Sequence, residues 1–380
     1  MPLKGIKVIE LAGLAPVPFC GMILADFGAT VIRVGRVGSG TDLDVLTNGK
    51  KSISLNLKKP KGVQILKQLC KTSDVLIEPY RPGIMEKLSL GPDILLKENP
   101  RLIYARLTGY GQHGYYADRA GHDINYVSVT GLLSLFGRKN SKPTPPVNLA
   151  ADFGGGGLMC AFGVMTALFE RSKSGLGQVI DANMVNGTAY LGSWIYRSQD
   201  LPIWGKPTGE NILDSGAHFY DTYKTKDGKY MAIGSIESQF YAELLEKLNL
   251  DAEFDQYTDF EEKKSKLSEI FSTKTQAEWM KIFDSSDACV TPVLSLDDVK
   301  THPHHIQNET FQINPNGSLC PTPAPKLSKT PGISKALLPP PKSGEHTFEI
   351  LKNLHYSNDE ISNLEKDGII EITSNSKSKL

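Results

Sequence analysis

Cysteine is scarce in this chain. There are five among 380 residues, at positions 20, 70, 160, 289 and 320, and none belongs to a C-x-x-C pair. No disulfide framework is indicated, and buried reduced thiols of an intracellular protein are expected. Net charge is absent as well: 42 Lys and Arg balance 42 Asp and Glu. The field of the whole molecule therefore offers nothing to nucleic acid or to an anionic membrane, and any anionic ligand needs a local basic cluster. No apolar run is expected to cross a bilayer. Met1-Pro-Leu-Lys-Gly5 leads into a strand and not into a secretory apolar core. There is no P-loop and no visible internal repeat. Gly154-Gly-Gly-Gly157 fails G-x-G-x-x-G, which removes the dinucleotide fingerprint.

What is present is a globular composition, 40% hydrophobic and 22% charged, over a length that accommodates two domains. Strand and helix alternate in the first half. Lys7–Leu11, Thr30–Val34, Ser52–Leu57, Asp74–Glu78, Leu102–Leu107 and Val179–Asn183 read as strands. Helical spacing covers Pro18–Phe27, Pro60–Cys70, Gly83–Leu88, His122–Phe136, Gly154–Arg171 and Met184–Tyr196. That alternation predicts an α/β fold, a doubly wound parallel sheet in a large domain over residues 1–197. Residues 198–222 read as a linker, and 223–310 as a smaller α+β domain that opens on a hairpin around Lys226-Asp-Gly-Lys229. The Pro- and Asn-rich stretch 311–342 predicts an extended return linker, and 343–372 predicts helices that dock on the large domain. Residues 373–380 read as a mobile tail ending in Ser378-Lys379-Leu380. At a free C-terminus that tripeptide is a peroxisomal address, so an import receptor is an expected partner.

Acid–base chemistry concentrates at three places. Gly121-His122-Asp123 precedes an apolar helix. The imidazole of His122 can take and return a proton near neutrality. Asp123 can cap the helix, orient the ring or attack a carbonyl, and backbone N–H groups at the helix start can hold an oxyanion. Asp152 precedes the four glycines and a helix, and Glu237 lies between a strand and a helix. Each has a plainer reading: a helix cap for Asp123 or Asp152, a cap or a surface role for Glu237, and a satisfied buried ring for His122. Basic residues gather around the first βαβ region at Arg33, Arg36, Lys50, Lys51, Lys58 and Lys59, with Lys87 beyond. At the edge of a parallel sheet they suit a phosphorylated ligand, although for any single Lys a solvated face is the favoured reading. His302-Pro-His304-His305 matches a metal tract by count only, and its Pro and missing Cys or carboxylate partners favour a loop.

Six segments then occur in order: Glu10-Leu-Ala-Gly-Leu-Ala-Pro16, Leu24-Ala-Asp-Phe-Gly-Ala29, Gly121-His-Asp-Ile-Asn-Tyr126, Asn148-Leu-Ala-Ala-Asp152-Phe-Gly-Gly-Gly156, Gln178-Val-Ile-Asp-Ala-Asn-Met184 and Asp287-Ala-Cys-Val-Thr-Pro-Val293. Together they resemble the acyl-CoA racemases of the family III CoA-transferase superfamily, from about residue 2 to the C-terminus. The resemblance implies a large Rossmann-like domain, a smaller domain, and a homodimer of subunits interlocked like chain links, with the active site between the large domain of one and the small domain of the other. It implies that His122 and Asp152 are the two acid/base groups, with Glu237 near His122. It sets coenzyme A against Arg36, against Leu55, Asn56, Leu57 and Lys58, and against Gly121, Ile124, Asn125 and Tyr126; Lys87 joins them from the basic cluster.

The activity so implied is inversion at C2 of a 2-methyl-branched fatty or bile-acid-type acyl-CoA, through an enolate held by the backbone N–H of Asp123. No metal and no cofactor is expected, coenzyme A arriving only as part of the substrate. The location implied is the peroxisome, with a mitochondrial copy left open. Two other readings stand beside it: a CoA transferase with Asp123 as nucleophile, and a non-catalytic acyl-CoA carrier. Four positions depart from the racemase pattern: Gly35 where an acidic residue is frequent, Lys51 where Arg is common, and His218 and Ser238 where Pro is frequent.

Overall fold

The structure is a computed structural model and describes residues 1–39, 43–251 and 253–373. Six parallel strands form its main sheet: β1 Lys7–Leu11, β2 Thr30–Arg36, β3 Lys51–Leu55, β4 Val75–Glu78, β5 Ile103–Thr108 and β6 Val179–Asn183, in the order β3-β2-β1-β4-β5-β6. All four residues of β4 and all six of β5 are buried, as expected of strands covered on both faces.

Helices α1 Pro16–Asp26, α2 Pro60–Lys71, α3 Ile84–Lys87, α4 Pro92–Glu98, α5 Asp123–Val129, α6 Met159–Ser174 and α7 Met184–Leu191 accompany this sheet. Val17 and Leu24 of α1 meet Cys160 and Val164 of α6 in one apolar core, together with Val8, Val31 and Ile77 of the strands. A second core gathers Ile65, Leu66 and Leu69 of α2, Leu95 of α4, and Ile9, Ile53 and Leu76. Pro is at the first turn of α1, α2 and α4, where its missing N–H costs nothing.

Two compact units divide the chain. The larger comprises Met1–Thr130, Val147–Leu191 and the chain from Gln307 onward; the smaller comprises Gly131–Pro146 and Gly192–Ile306. The expected large domain over 1–197 therefore gives up 131–146 and 192–197. The apolar run His122–Phe136 is not one helix: α5 stops at Val129, Gly131 takes φ +83°, and Leu132–Leu135 forms a separate 3₁₀ turn.

In the smaller unit, α8 Ser193–Arg197 is followed by β7 Tyr220–Lys224 and β8 Tyr230–Gly234, which pair antiparallel, with β9 Val290–Pro292 added beyond β8. β7 thus begins inside the stretch 198–222 that reads as a linker. Helices α9 Ser238–Leu248, α10 Phe260–Phe271 and α11 Gln276–Ile282 supply Leu244, Leu267, Phe271 and Trp279 to a core with Phe219 and Met231.

After α12 Pro303–Gln307, the stretch 311–342 holds a hairpin, β10 Phe311–Ile313 with β11 Leu319–Pro321, and is not extended throughout. Its turn closes where Gly317 N–H meets the Asn314 carbonyl at 2.9 Å. Helices α13 Thr347–Asn353 and α14 Asn358–Lys366 then place Ile350, Leu351, Ile361 and Leu364 in the second core of the main sheet. Strand β12, Ile370–Glu371, pairs antiparallel with β3 and covers that edge. The sequence reading has only helices here, because two residues carry no periodicity.

One expectation about length is corrected. Leu149–Ser174 is a continuous helical segment of 26 residues, with a window of mean hydropathy 1.3, long and apolar enough to cross a membrane. Interior helices share that composition, and this one sets Cys160, Ala161, Val164 and Ala167 against the sheet.

Candidate active site

Parallel pairing puts the ends of β2 and β3 side by side, with Arg36 opposite Leu55. Carboxyl ends of such strands are where α/β sheets take ligands. Arg36 and Lys58 have exposed side chains, as does Lys87 at the end of α3. Leu55 is buried and Leu57 packs on the same core, so their side chains face inward and leave only backbone for a ligand. Asn56 donates to the Gly368 carbonyl (3.2 Å) and accepts from the Lys58 N–H (3.1 Å).

The other members of the basic cluster have protein partners. Lys50 is fully buried and donates to both oxygens of Glu10, at 3.0 and 2.8 Å, and to the Pro18 carbonyl at 2.9 Å. Burial pushes the Glu10 carboxyl upward against the pull of Lys50. Arg33 meets Asp44 at 3.2 Å, Lys51 meets Glu349 at 2.6 Å, and Lys59 donates to the Asp367 carbonyl. The cluster is largely structural; Arg36, Lys58 and Lys87 are the members whose exposed heads suit a phosphate.

At the start of α5 the N-cap is His122, not Asp123. His122 has extended backbone (φ −132°, ψ 175°). Its carbonyl accepts from the N–H groups of Asn125 (2.8 Å) and Tyr126 (3.2 Å), and its N–H donates to Asn125 Oδ1 (3.1 Å). The cap is made through backbone, and the imidazole is left exposed. Ile124 and Asn125 are exposed beside it, whereas Tyr126 turns inward and donates its hydroxyl to the Gly121 carbonyl. Burial, aided by Asp152 and Tyr110, pushes the Tyr126 hydroxyl up to about 12. Gly121 is required for this packing, since an added Cβ would lie 2.7 Å from the Tyr126 ring.

Asp123 occupies the first helical position and is only 2% exposed. Its Oδ2 accepts from the backbone N–H groups of Ala151 (2.8 Å) and Asp152 (2.9 Å). The capping reading fails because this carboxylate is drawn across to the neighbouring helix.

Asp152 is not a cap either. It is in the first turn of a π-helical stretch, Leu149–Leu158, whose N-cap is Asn148 in the left-handed region at φ 60°. Asp152 is 8% exposed, and its Oδ2 accepts from the Asn148 amide at 2.8 Å. Burial raises the Asp152 carboxyl from its ordinary value, and the charge of Asp123 adds to this; the Asn148 bond and the charge of His122 oppose it. The α5 start and the Asp152 turn thus bring His122, Asp123 and Asp152 within electrostatic reach of one another.

The glycines beside Asp152 serve packing. An added Cβ at Gly155 would lie 2.3 Å from Thr188 Oγ1 on α7, and one at Gly157 would lie 2.7 Å from the Pro16 carbonyl on α1. Phe153 packs edge-on against Phe19, ring centroids 5.2 Å apart. Asn148 and Glu10 are support residues that the sequence reading did not single out; the position of Asn148, four residues before an acid in a helical segment, signals its role.

Glu237 belongs to the smaller unit, at the N-cap of α9 after β8. Its carboxylate is exposed and makes no capping bond among the described residues, so capping is not its side chain's task. His218 is buried in the same unit, bonded to the Tyr241 hydroxyl at 2.7 Å, and pushed down to about 4 by burial and by Lys263 and Lys264. It is neutral at pH 7. Among the described residues no group of three or more His, Cys, Asp or Glu stands where it could hold a metal ion, and this includes the His302–His305 stretch.

An exposed imidazole and a buried, raised carboxyl held through adjacent backbone can exchange protons with a bound carbon acid. The chain belongs to the CoA-transferase family III, whose profile matches residues 3–347. Within that class it is 52% identical over 375 residues to the alpha-methylacyl-CoA racemase of Mus musculus, and 52% identical over 375 residues to that of Homo sapiens, with 98% of each chain covered in both comparisons. In fold it matches a CAIB/BAIF family protein from Brucella suis with a TM-score of 0.78 and 23% identity, over 93% of this chain and 99% of that one.

Proposed function

We propose that this protein is an isomerase, a racemase that inverts C2 of 2-methylacyl-CoA thioesters by two-base 1,1-proton transfer. The observation that carries the reading is the pairing of exposed His122 with buried Asp152 through the α5 start. A thioester acidifies its α-proton because the anion delocalises onto oxygen. One group takes that proton from one face and the other returns a proton to the opposite face, and the roles exchange with the stereoisomer. Asp152 suits the second role, its carboxyl being buried and raised from its ordinary value. The enolate oxygen is assigned to the backbone N–H of Asp123. Coenzyme A is part of the substrate, and its phosphates are assigned to Arg36, Lys58 and Lys87, whose remote binding helps to orient C2. Glu237 is assigned to the catalytic set, as the racemase resemblance implies. The mechanism uses neither a metal nor a resident cofactor.

The finer architecture belongs to the same proposal: a Rossmann-like doubly wound sheet, a smaller α+β domain, and an interlocked homodimer. Phe162, Phe169 and Tyr190 of the larger unit are exposed, Phe169 to 65%, which supports a second copy as their cover. The location proposed is the peroxisome, reached through Ser378-Lys379-Leu380, which lie outside the described residues; a chain lacking them should remain active and stay cytosolic when imaged in cells.

The transferase alternative needs Asp123 as an attacking group. Its burial and its two backbone hydrogen bonds disfavour that use. Deuterium incorporation at C2 from heavy water, measured on both stereoisomers of one 2-methylacyl-CoA, tests the reading. Exchange without inversion would overturn the two-base mechanism, and transfer of CoA to an added free acid would favour the alternative.

A further inference from the structure

We propose that Asp123 is a positioning residue: its carboxylate ties the turn that carries Asp152 to the helix start that carries His122, and so holds the two acid/base groups in fixed relation. The inference rests on the racemase reading and gives the Asp123 side chain a task separate from that of its backbone N–H.

Three observations support it. First, one oxygen, Oδ2, takes the N–H groups of both Ala151 and Asp152, at 2.8 and 2.9 Å. These belong to the first turn of the 149–158 stretch, where N–H groups lack partners within their own helix. The bond to Asp152 is made to the backbone of the acid/base residue itself, so any displacement of that turn is felt at C2. Second, Asp123 follows the N-cap His122 directly and is locked by its own α5 backbone. A single residue therefore spans the two halves of the site.

Third, its other oxygen, Oδ1, is buried with no hydrogen-bond partner among the described residues. A carboxylate so placed is poorly neutralised, and its charge bears on its neighbour. The groups that act on Asp152 are Asn148 on its own stretch, and Asp123, His122 and Tyr126 from α5. The residues of α1 and α7 that press on this stretch, Pro16, Phe19, Met184 and Thr188, carry no charge. Asp123 is thus the one like-charged group in the set, and it keeps Asp152 more basic than burial alone would.

Asp123→Asn and Asp123→Ala separate the tether from simple packing. Both are to be made in the full chain and assayed by C2 exchange on each stereoisomer from about pH 5 to 9, with thermal unfolding followed in parallel. Asn keeps an acceptor for both N–H groups and removes the charge. Asp123→Asn is expected to fold normally and keep exchange within roughly tenfold, with the acid limb for the isomer served by Asp152 moved to lower pH. Asp123→Ala is expected to lose at least about tenfold in kcat on both isomers with KM little changed.

An unmoved acid limb in Asp123→Asn overturns the proposal, as do equal rates in all three proteins. Failure of Asp123→Asn to fold also overturns it, because the acceptor is retained. Absence of exchange in the unaltered protein sinks the racemase reading itself, whereas exchange that is present there and identical in both variants sinks only the positioning role.

Discussion

Lys50→Met tests the most buried electrostatic contact near the site. Both members of the Glu10–Lys50 pair have side chains with no solvent exposure. Removing the ammonium leaves a buried carboxylate without two charged hydrogen bonds, and frees the Pro18 carbonyl in α1. Breaking such a pair from one side costs about 3–5 kcal/mol at neutral pH. At roughly 2–4 °C per kcal/mol for a cooperative unit of about this size, the melting temperature should fall by roughly 6–20 °C.

The sign with pH follows from Glu10. Burial already raises its carboxyl, and loss of Lys50 raises it further. A carboxyl that is raised on folding has its destabilising effect above its ordinary value and loses it as pH falls toward that value. The deficit of Lys50→Met should therefore shrink by up to about 1.4 kcal/mol per pH unit as pH drops toward the ordinary Glu range. The double variant Glu10→Leu/Lys50→Met, which removes the stranded charge, should recover most of the loss. Urea unfolding followed by circular dichroism at pH 5 and pH 8 measures all three proteins. A deficit below about 1 kcal/mol, a deficit equal at the two pH values, or a double variant as weak as the single would refute the argument.

His122→Ala should lower racemisation by roughly 10²–10⁴-fold. It should leave the melting temperature nearly unchanged, because the cap at α5 is made by the His122 backbone; a variant that racemises at the original rate would remove His122 from the mechanism. Asp152→Asn should cripple inversion yet retain C2 exchange for the stereoisomer whose proton faces His122. Equal loss on both faces in a folded variant would count against a one-face role. Arg36→Ala should raise KM for acyl-CoA more than it lowers kcat, and the difference should narrow as salt rises; a pure kcat effect would take Arg36 away from the phosphates.

The strands of the main sheet were legible to within two residues because parallel strands buried on both faces read as short, dense apolar runs bounded by turns. Caps were not. His122 and Asp123 are adjacent, and which one caps α5 depends on Asn125 closing over one N–H and on Asp123 being drawn to Ala151 and Asp152, a contact 28 positions away in the chain. The π-helical start at 149–158 was invisible because wide turns there are stabilised by glycine contacts with α1 and α7, which leave no periodic trace. The basic cluster was over-read for a related reason: Lys51 finds its acid, Glu349, 298 positions later. Local sequence shows where a charge is and not what meets it.

The edge contributed by β12 has a consequence for biogenesis. Asn56, just past β3, bonds the Gly368 carbonyl 312 positions further along the chain, and Ile370 pairs with Leu55. During synthesis β3 therefore leaves the ribosome with an open edge, and the apolar faces later covered by Ile350, Leu351 and Ile361 stay bare. At about 5–20 residues per second that interval lasts tens of seconds, long enough for a nascent chain to need chaperone cover. A chain cut short at α14 would keep every acid/base residue proposed here and still lack the strand that seals its largest sheet, so premature termination should show itself as aggregation before it shows itself as altered catalysis.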